Sequence, residues 1–216
     1  MNKHAQQAAN RFDTWADTFG EDRLSPWFQF YQTLALSKLD LEAGGGYLDV
    51  GCGTGWSVRQ AAARLTSSVV AGIDISPKMV DKAKKLSATS PRVEFHVTNS
   101  ESIPYPNETF RWVLCTCSFH HYENPVRSLQ EIKRVMRPGG RLVLIDVARD
   151  VFFPIWLQDR FRRYLEKSHV RYYTTREMEA LLRATEMKQL GEIDTIRKIK
   201  DHGKLFTGLM IIVCEK

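Results

Sequence analysis

Two acids and three glycines carry the clearest chemistry in this chain. Asp49 sits near the end of the short apolar run Tyr47-Leu48-Asp49-Val50, and Gly51, Gly53 and Gly55 follow at alternate positions. Glycine takes positive φ without strain and lets a ligand lie against the main chain with no Cβ in the way. A second apolar run, Val69 to Ile75, carries Asp74 at its end, about twenty residues past the glycines, where an acid can grip a ribose. A dinucleotide-phosphate turn needs its third glycine one residue later, where Trp56 stands. Asp49 beside the turn would repel a pyrophosphate and suits a ligand that carries positive charge.

Other reactive side chains give weaker signals. His120 and His121 follow a strand-like run, and an imidazole there can act as a base near neutral pH, although a lone histidine is more often structural. The four cysteines, Cys52, Cys115, Cys117 and Cys214, show no CxxC spacing, so neither a zinc site nor a redox pair is expected and no metal is assigned. No activating motif surrounds Cys117, which argues against a thiolate nucleophile. Reduced thiols in a cytoplasmic protein are the plain reading.

The elements that must hold these residues alternate along the chain. Apolar runs predict strands at 47–50, 69–74, 93–97, 111–116 and 141–147, and helical periodicity predicts helices at 56–65, 77–87, 125–136 and 174–184. Ser76 caps the second of these helices, with Pro77 in its first turn. Pro138-Gly139-Gly140 ends the helix before the fifth strand. Strand–helix alternation with continuously apolar strands argues a parallel doubly wound sheet. Two β-rich runs, 187–197 and 205–215, close the chain around the hairpin signal Asp201-His202-Gly203. The opening 40 residues read as two helices parted near Gly20 and Ser25-Pro26, and residues 149–174 as an aromatic, arginine-rich helix that breaks the alternation.

The ordered motifs resemble those of the class I S-adenosylmethionine (SAM) dependent methyltransferases. Asp49-Val-Gly-Cys-Gly-Thr-Gly55 is similar to the family's first motif, and Asn99-Ser-Glu-Ser-Ile-Pro-Tyr-Pro-Asn-Glu-Thr-Phe110 to its D-A-x-x-L-P-F-x-D-x-x-F segment. Ser118-Phe-His-His-Tyr122 resembles the family's segment after the fourth strand, and Glu131-Ile-Lys-Arg-Val-Met-Arg-Pro-Gly-Gly140 its E-x-x-R-V-L-x-P-G-G run. The nearest subgroup is the small-molecule set that includes ubiquinone and menaquinone C-methyltransferases. The resemblance implies an α/β, Rossmann-like, doubly wound, seven-stranded, mostly parallel sheet with an antiparallel C-terminal hairpin strand. It also implies N-terminal helices (1–40) and a helical lid (149–174), all within one domain spanning 1–216.

It further implies a site. Gly51, Cys52, Gly53, Thr54 and Gly55 would line the methionine and ribose of SAM, Asp49 would help hold its α-amino group, and Asp74 would take the ribose hydroxyls. Ile75 and Met79 would sandwich the adenine, with Asn99, Ser100 and Glu101 at its edge and Cys115 and Cys117 on the adjoining wall. Asn99 stands where the family usually has aspartate, and Arg111 where an acid is common; Arg111 has no functional reading. His120 or His121 would serve the reaction. Trp15, Tyr31, Phe119, Trp156, Tyr172 and Tyr173 would meet the acceptor, against the plain alternative that aromatic stripes are core packing.

Bulk properties leave this reading open. The chain has 216 residues, enough for one domain with a substantial core, and a net charge of +6. A mildly basic surface permits nucleic acid without requiring it, and no appended RNA-binding module or amine-methylating motif is visible. The polar opening residues carry no apolar leader, and no apolar run is long enough to span a bilayer. A basic amphipathic segment such as 149–174 can still touch a membrane surface. The expected product is S-adenosylhomocysteine and the expected partner a small-molecule acceptor, the protein being a monomer or homodimer. The rival functions are an RNA or protein methyltransferase, a non-catalytic SAM-binding module and a nicotinamide oxidoreductase, which the glycine spacing disfavours.

Overall fold

Strand β1 (Gly46–Val50) is buried at every position, as a strand covered on both faces by helices must be. The computed structural model describes residues 3–19, 25–65, 68–90, 92–166, 168–201 and 204–216. Gly20, Lys167, His202 and Gly203 lie outside the described residues.

The parallel strands are β1, β2 (Val70–Asp74), β3 (Val93–Val97), β4 (Phe110–Thr116) and β5 (Met136–Val147), in the order β3-β2-β1-β4-β5. β8 (Lys204–Glu215) lies antiparallel along β5. Its far edge pairs first with β7 (Asp194–Asp201) and then with the two-residue β6 (Lys188–Gln189). Eight strands therefore fill seven positions in the expected mostly parallel sheet. The run expected over 187–197 is two strands, because Gly191 takes positive φ between them. β5 starts at Met136, so Pro138-Gly139-Gly140 lies inside the paired strand, where Lys216 donates to the Gly140 carbonyl at 3.1 Å.

Helices pack on both faces and divide the core in two. α2 (Ser25–Leu36), α3 (Trp56–Arg64) and α4 (Pro77–Leu86) cover one side through Tyr31, Ala35, Val58, Ala61, Val80 and Ala83. α5 (Pro125–Val135) and α7 (Thr175–Ala184) cover the other through Leu129, Ile132, Met178 and Leu182. α4 is capped as its sequence predicts: Ser76 Oγ accepts from Met79 N at 3.1 Å, and Pro77 follows. The Glu131…Arg134 pair explains part of its motif. Glu131 accepts from Ile103 N at 3.0 Å, and Arg134 donates to the carbonyls of Ile103 and Tyr105 at 2.9 and 2.8 Å, so the pair ties down the loop after β3. Arg111 is structural: it donates to the Ala43 carbonyl at 3.1 Å and stacks on Trp112.

Strand order reverses between β1 and β4. The crevice outside their carboxyl ends is where α/β sheets of this kind bind ligands. α1 (Lys3–Trp15) and α6 (Phe153–Leu165) contribute to that crevice, and no helix among the described residues is long and apolar enough to cross a membrane.

Candidate active site

The turn after β1 is shaped by its glycines and clamped by β2. Gly51 and Gly53 have φ of 82° and 52°. A Cβ on Gly51 would lie 2.6 Å from Ser118, whereas a Cβ on Gly53 would point toward the ring of Phe19, at 3.4 Å. The backbone N–H groups of Gly51 and Cys52 both donate to the Ile73 carbonyl at 2.9 Å. Asp74 completes the clamp: Oδ2 accepts from Gly53 N at 2.8 Å and Oδ1 from Ser76 N at 2.9 Å. The carboxylate lines a cavity of about 560 Å3, and each oxygen keeps further lone-pair capacity for a diol. Burial nevertheless raises its pKa.

Asp49 lies behind this turn rather than on the cavity wall. It is fully buried, accepts from Ser57 through Oδ2, and leaves Oδ1 without a partner. Burial pushes its pKa up to about 7. A buried, half-satisfied acid beside a glycine cradle suits a cationic ligand, which lowers the cost of ionising it. These features fit an adenosyl sulfonium donor. They also give a pH prediction. The acid titrates near 3.8 when unfolded and near 7 when folded, so the native state binds the extra proton and stability falls as pH rises from about 4 to about 7. Asp49→Asn keeps the Ser57 bond and removes that loss. Its melting temperature is expected to exceed wild type at pH 8 and to converge with it near pH 4, as scanning calorimetry would show; equal melting temperatures at pH 8 would sink the assignment.

Helix α1 roofs the cavity and is pinned to α4. Asp13 Oδ1 accepts from Ser76 Oγ at 2.5 Å and from Lys78 N at 3.0 Å. Lys82 Nζ donates to the carbonyls of Ala16, Asp17 and Phe19 at 3.0, 3.0 and 2.9 Å, which ties down the turn that follows the helix. Beneath it Ile75, Met79, Asn99, Ser100 and Glu101 line one end of the cavity. Asn99 Oδ1 already accepts from Glu101 N at 3.1 Å, and Ser100 turns its hydroxyl to Ser128 at 2.8 Å.

Histidines and aromatics also line the cavity. His120 and His121, on the turn after β4, line the cavity with Phe12, Trp15, Tyr31 and Tyr172. His120 Nδ1 bonds Asp146 Oδ1 at 2.8 Å, and its backbone N–H donates to Asp146 Oδ2 at 3.1 Å. His121 Nδ1 bonds the Ser168 carbonyl at 2.6 Å. The third member, His169, bonds Asp159 through Nε2 at 2.9 Å. Burial drives the pKa of His121 well down and that of His169 to about 4.

Several expected contacts sit elsewhere. Thr54 and Gly55 lie in the turn but off the cavity wall; a Cβ on Gly55 would strike Phe95 at 2.6 Å, so this glycine serves packing. Cys115 is buried against Ser118 and Tyr122, while Cys117, turned by its φ of 51°, does reach the cavity. Phe119 and Tyr173 pack on each other within the core, with ring centres 5.4 Å apart. Trp156 faces away from the cavity and is 45% exposed. The fold also gathers His120, His121 and His169, a grouping on which cysteine spacing has no bearing. Asp13, Lys82, Asp146 and Tyr122 were missed; each acts through a partner distant in sequence, and local patterning carries no signal for them.

A family model described as a methyltransferase domain matches residues 48–144. Demethylmenaquinone methyltransferase of Tropheryma whipplei (strain Twist) is 30% identical over 166 residues, covering 76% of this chain and 68% of that protein. The 27-O-demethylrifamycin SV methyltransferase of Amycolatopsis mediterranei is 38% identical over 112 residues, covering 50% of this chain and 40% of that one. The crystal structure of geranyl diphosphate C-methyltransferase from Streptomyces coelicolor A3(2), with Mg2+, geranyl diphosphate and S-adenosyl-L-homocysteine, superposes with a TM-score of 0.74. It covers 99% of this chain and 98% of that chain at 13% identity, a likeness of fold.

Proposed function

The chain belongs to the SAM-dependent methyltransferases, and from that premise we propose that it methylates a small aromatic or lipophilic molecule held beneath α1 and α6. The observation that carries this reading is the make-up of the cavity. The glycine turn and Asp74 share its lining with Phe12, Trp15, Tyr31, Tyr172 and two histidines. A roofed, aromatic chamber suits a compact acceptor better than a polymer chain, and stacking on such walls favours flat or apolar molecules. The relatives named above act, by their names, on demethylmenaquinone and on 27-O-demethylrifamycin SV, both small molecules.

SAM supplies an activated methyl group on a sulfonium. The chain's residues do the rest by holding and orienting. Asp74 would accept from the ribose hydroxyls, and the Gly51–Gly53 main chain would leave room for the amino-acid portion. Ile75 and Met79 would flank the base. Asp49, once ionised, would offset the donor's positive charge. α1 and α6 exclude water, which strengthens every polar contact inside and aligns the reacting atoms. The histidine wall is where an acceptor proton or developing negative charge would be met. The test is a panel of aromatic, quinone-like and polyketide-like acceptors scored by S-adenosylhomocysteine release. Turnover on such a compound supports the reading; turnover only on RNA or protein overturns it.

The lid adds a surface. Phe153, Trp156, Leu157, Phe161, Tyr164 and Leu165 form an exposed stripe on α6, with Arg160 and Arg163 also exposed on that helix. Apolar side chains joined to cations fit an anionic lipid surface, from which a lipophilic acceptor can be drawn. The protein is expected to co-sediment with phosphatidylglycerol vesicles and not with phosphatidylcholine vesicles. The Trp156→Ser/Phe161→Ser variant is expected to lose that binding; retained binding would remove the lid from this role.

A further inference from the structure

Three histidines meet beside the cavity, two of them, His120 and His121, on its wall, and methyl transfer by itself does not need three. One ring nitrogen from each of His120, His121 and His169 lies within 4.8 Å of the others. Each ring spends a nitrogen on an outer partner: His120 Nδ1 on Asp146 at 2.8 Å, His121 Nδ1 on the Ser168 carbonyl at 2.6 Å, and His169 Nε2 on Asp159 at 2.9 Å. Carboxylates and a carbonyl accept, so these nitrogens carry the protons. The uncommitted ones, Nε2 of His120, Nε2 of His121 and Nδ1 of His169, carry lone pairs. Nδ1 of His169 is buried with no partner, on a side chain that is 0% exposed. Those lone pairs are free to meet a cation.

The arrangement has the two layers of a metal centre. Ligating histidines nearly always donate their second nitrogen to a carboxylate or a backbone carbonyl, which fixes the tautomer and raises the basicity of the ligand. All three rings here are backed in that way. Nitrogens no more than 4.8 Å apart sit at most about 2.8 Å from their common centre, so a shift of about 0.7 Å each reaches a Zn–N bond of about 2.1 Å. Among the described residues no further His, Cys, Asp or Glu joins the cluster, which leaves a position open, as in catalytic rather than structural sites.

We propose that His120, His121 and His169 bind one divalent transition-metal ion, zinc by preference, with an open position facing the methyl acceptor. Three imidazoles suit zinc and its neighbours better than magnesium or calcium. An acceptor oxygen in the open position would release its proton to water more readily, because the ion stabilises the anion left behind. That role rests on the chamber being the acceptor's; the binding of the ion does not.

The test uses untagged, chelator-treated full-length protein, titrated calorimetrically with ZnCl2 and, in parallel, followed by the visible spectrum of added Co2+. One equivalent of zinc and the ligand-field bands of low-coordinate cobalt are expected. His169→Ala should weaken zinc binding at least 100-fold while S-adenosylhomocysteine affinity, measured on the same sample, stays at the wild-type value and reports an intact fold. Zinc uptake well below one equivalent, or uptake by His169→Ala equal to wild type, overturns the metal site. Loss of S-adenosylhomocysteine binding in the wild-type protein would instead overturn the methyltransferase reading, with the zinc result standing by itself.

Discussion

Replacing Asp74 with alanine is expected to lower affinity for SAM and S-adenosylhomocysteine by about 10²–10⁴-fold. A carboxylate that accepts from two ribose hydroxyls makes two charge-assisted hydrogen bonds, each contributing about 1.5–3 kcal/mol, and about 1.4 kcal/mol is a tenfold change in affinity. Asp74 is well placed for this because Gly53 N and Ser76 N already fix both of its oxygens. Burial raises its pKa, so the ionised group is a cost to the free protein, and its loss should not unfold the chain. Calorimetric titration with S-adenosylhomocysteine decides the matter. An unchanged dissociation constant in Asp74→Ala would remove the ribose assignment.

The second large effect is expected at His120. His120→Ala should reduce kcat by about 10²–10⁴-fold, the usual range for a group that handles a proton or its charge in the transition state. Affinity for S-adenosylhomocysteine should stay within about twofold of wild type, because the ring hangs on Asp146, outside the turn that Asp74 clamps. Asp146 holds both the His120 ring and its backbone N–H, so the imidazole is presented at a fixed angle rather than sampling rotamers. Single-turnover rates on the acceptor found by the screen would check this. Wild-type rates in the variant would exclude His120 from the reaction.

Much of the glycine turn and its surroundings was legible because it is coded locally. A glycine turn after an apolar strand, an acid at the end of the next strand and a Ser-Pro helix start are short-range patterns, and the structure shows the turn, the clamp and the cap. The histidine wall and the roof over it are coded at long range. Asp146 reaches His120 across 26 residues and Asp13 reaches Ser76 across 63, and no periodicity announces such pairs. The lid shows another limit. Its aromatic stripe has helical spacing, but spacing does not say which face turns inward. The buried face of α6 holds Asp159, which accepts from His169, Tyr172 N and Arg163, while Phe153 and Tyr164 stand in solvent. Those bonds hold the acid below its ordinary carboxylate range even though burial pulls the other way. A satisfied buried acid thus overrode the rule that the apolar side faces the protein.

Helix α1 is fastened on both flanks. Asp13 and Lys82 tie it to α4, while Arg11 pairs with Glu166 and donates to Ser168 at 2.8 Å beyond the end of α6. On the proposed function, a spent donor and a methylated product bound beneath α1 would both leave past this latched helix. The clock of the enzyme then belongs to the latch rather than to the reaction. One of its bolts, Arg11–Glu166, is a partly exposed ion pair, which salt weakens. Moderate ionic strength is expected to quicken steady-state turnover and leave the single-turnover rate alone. A matched slowing of both would mean that the latch was never what the cycle waited for.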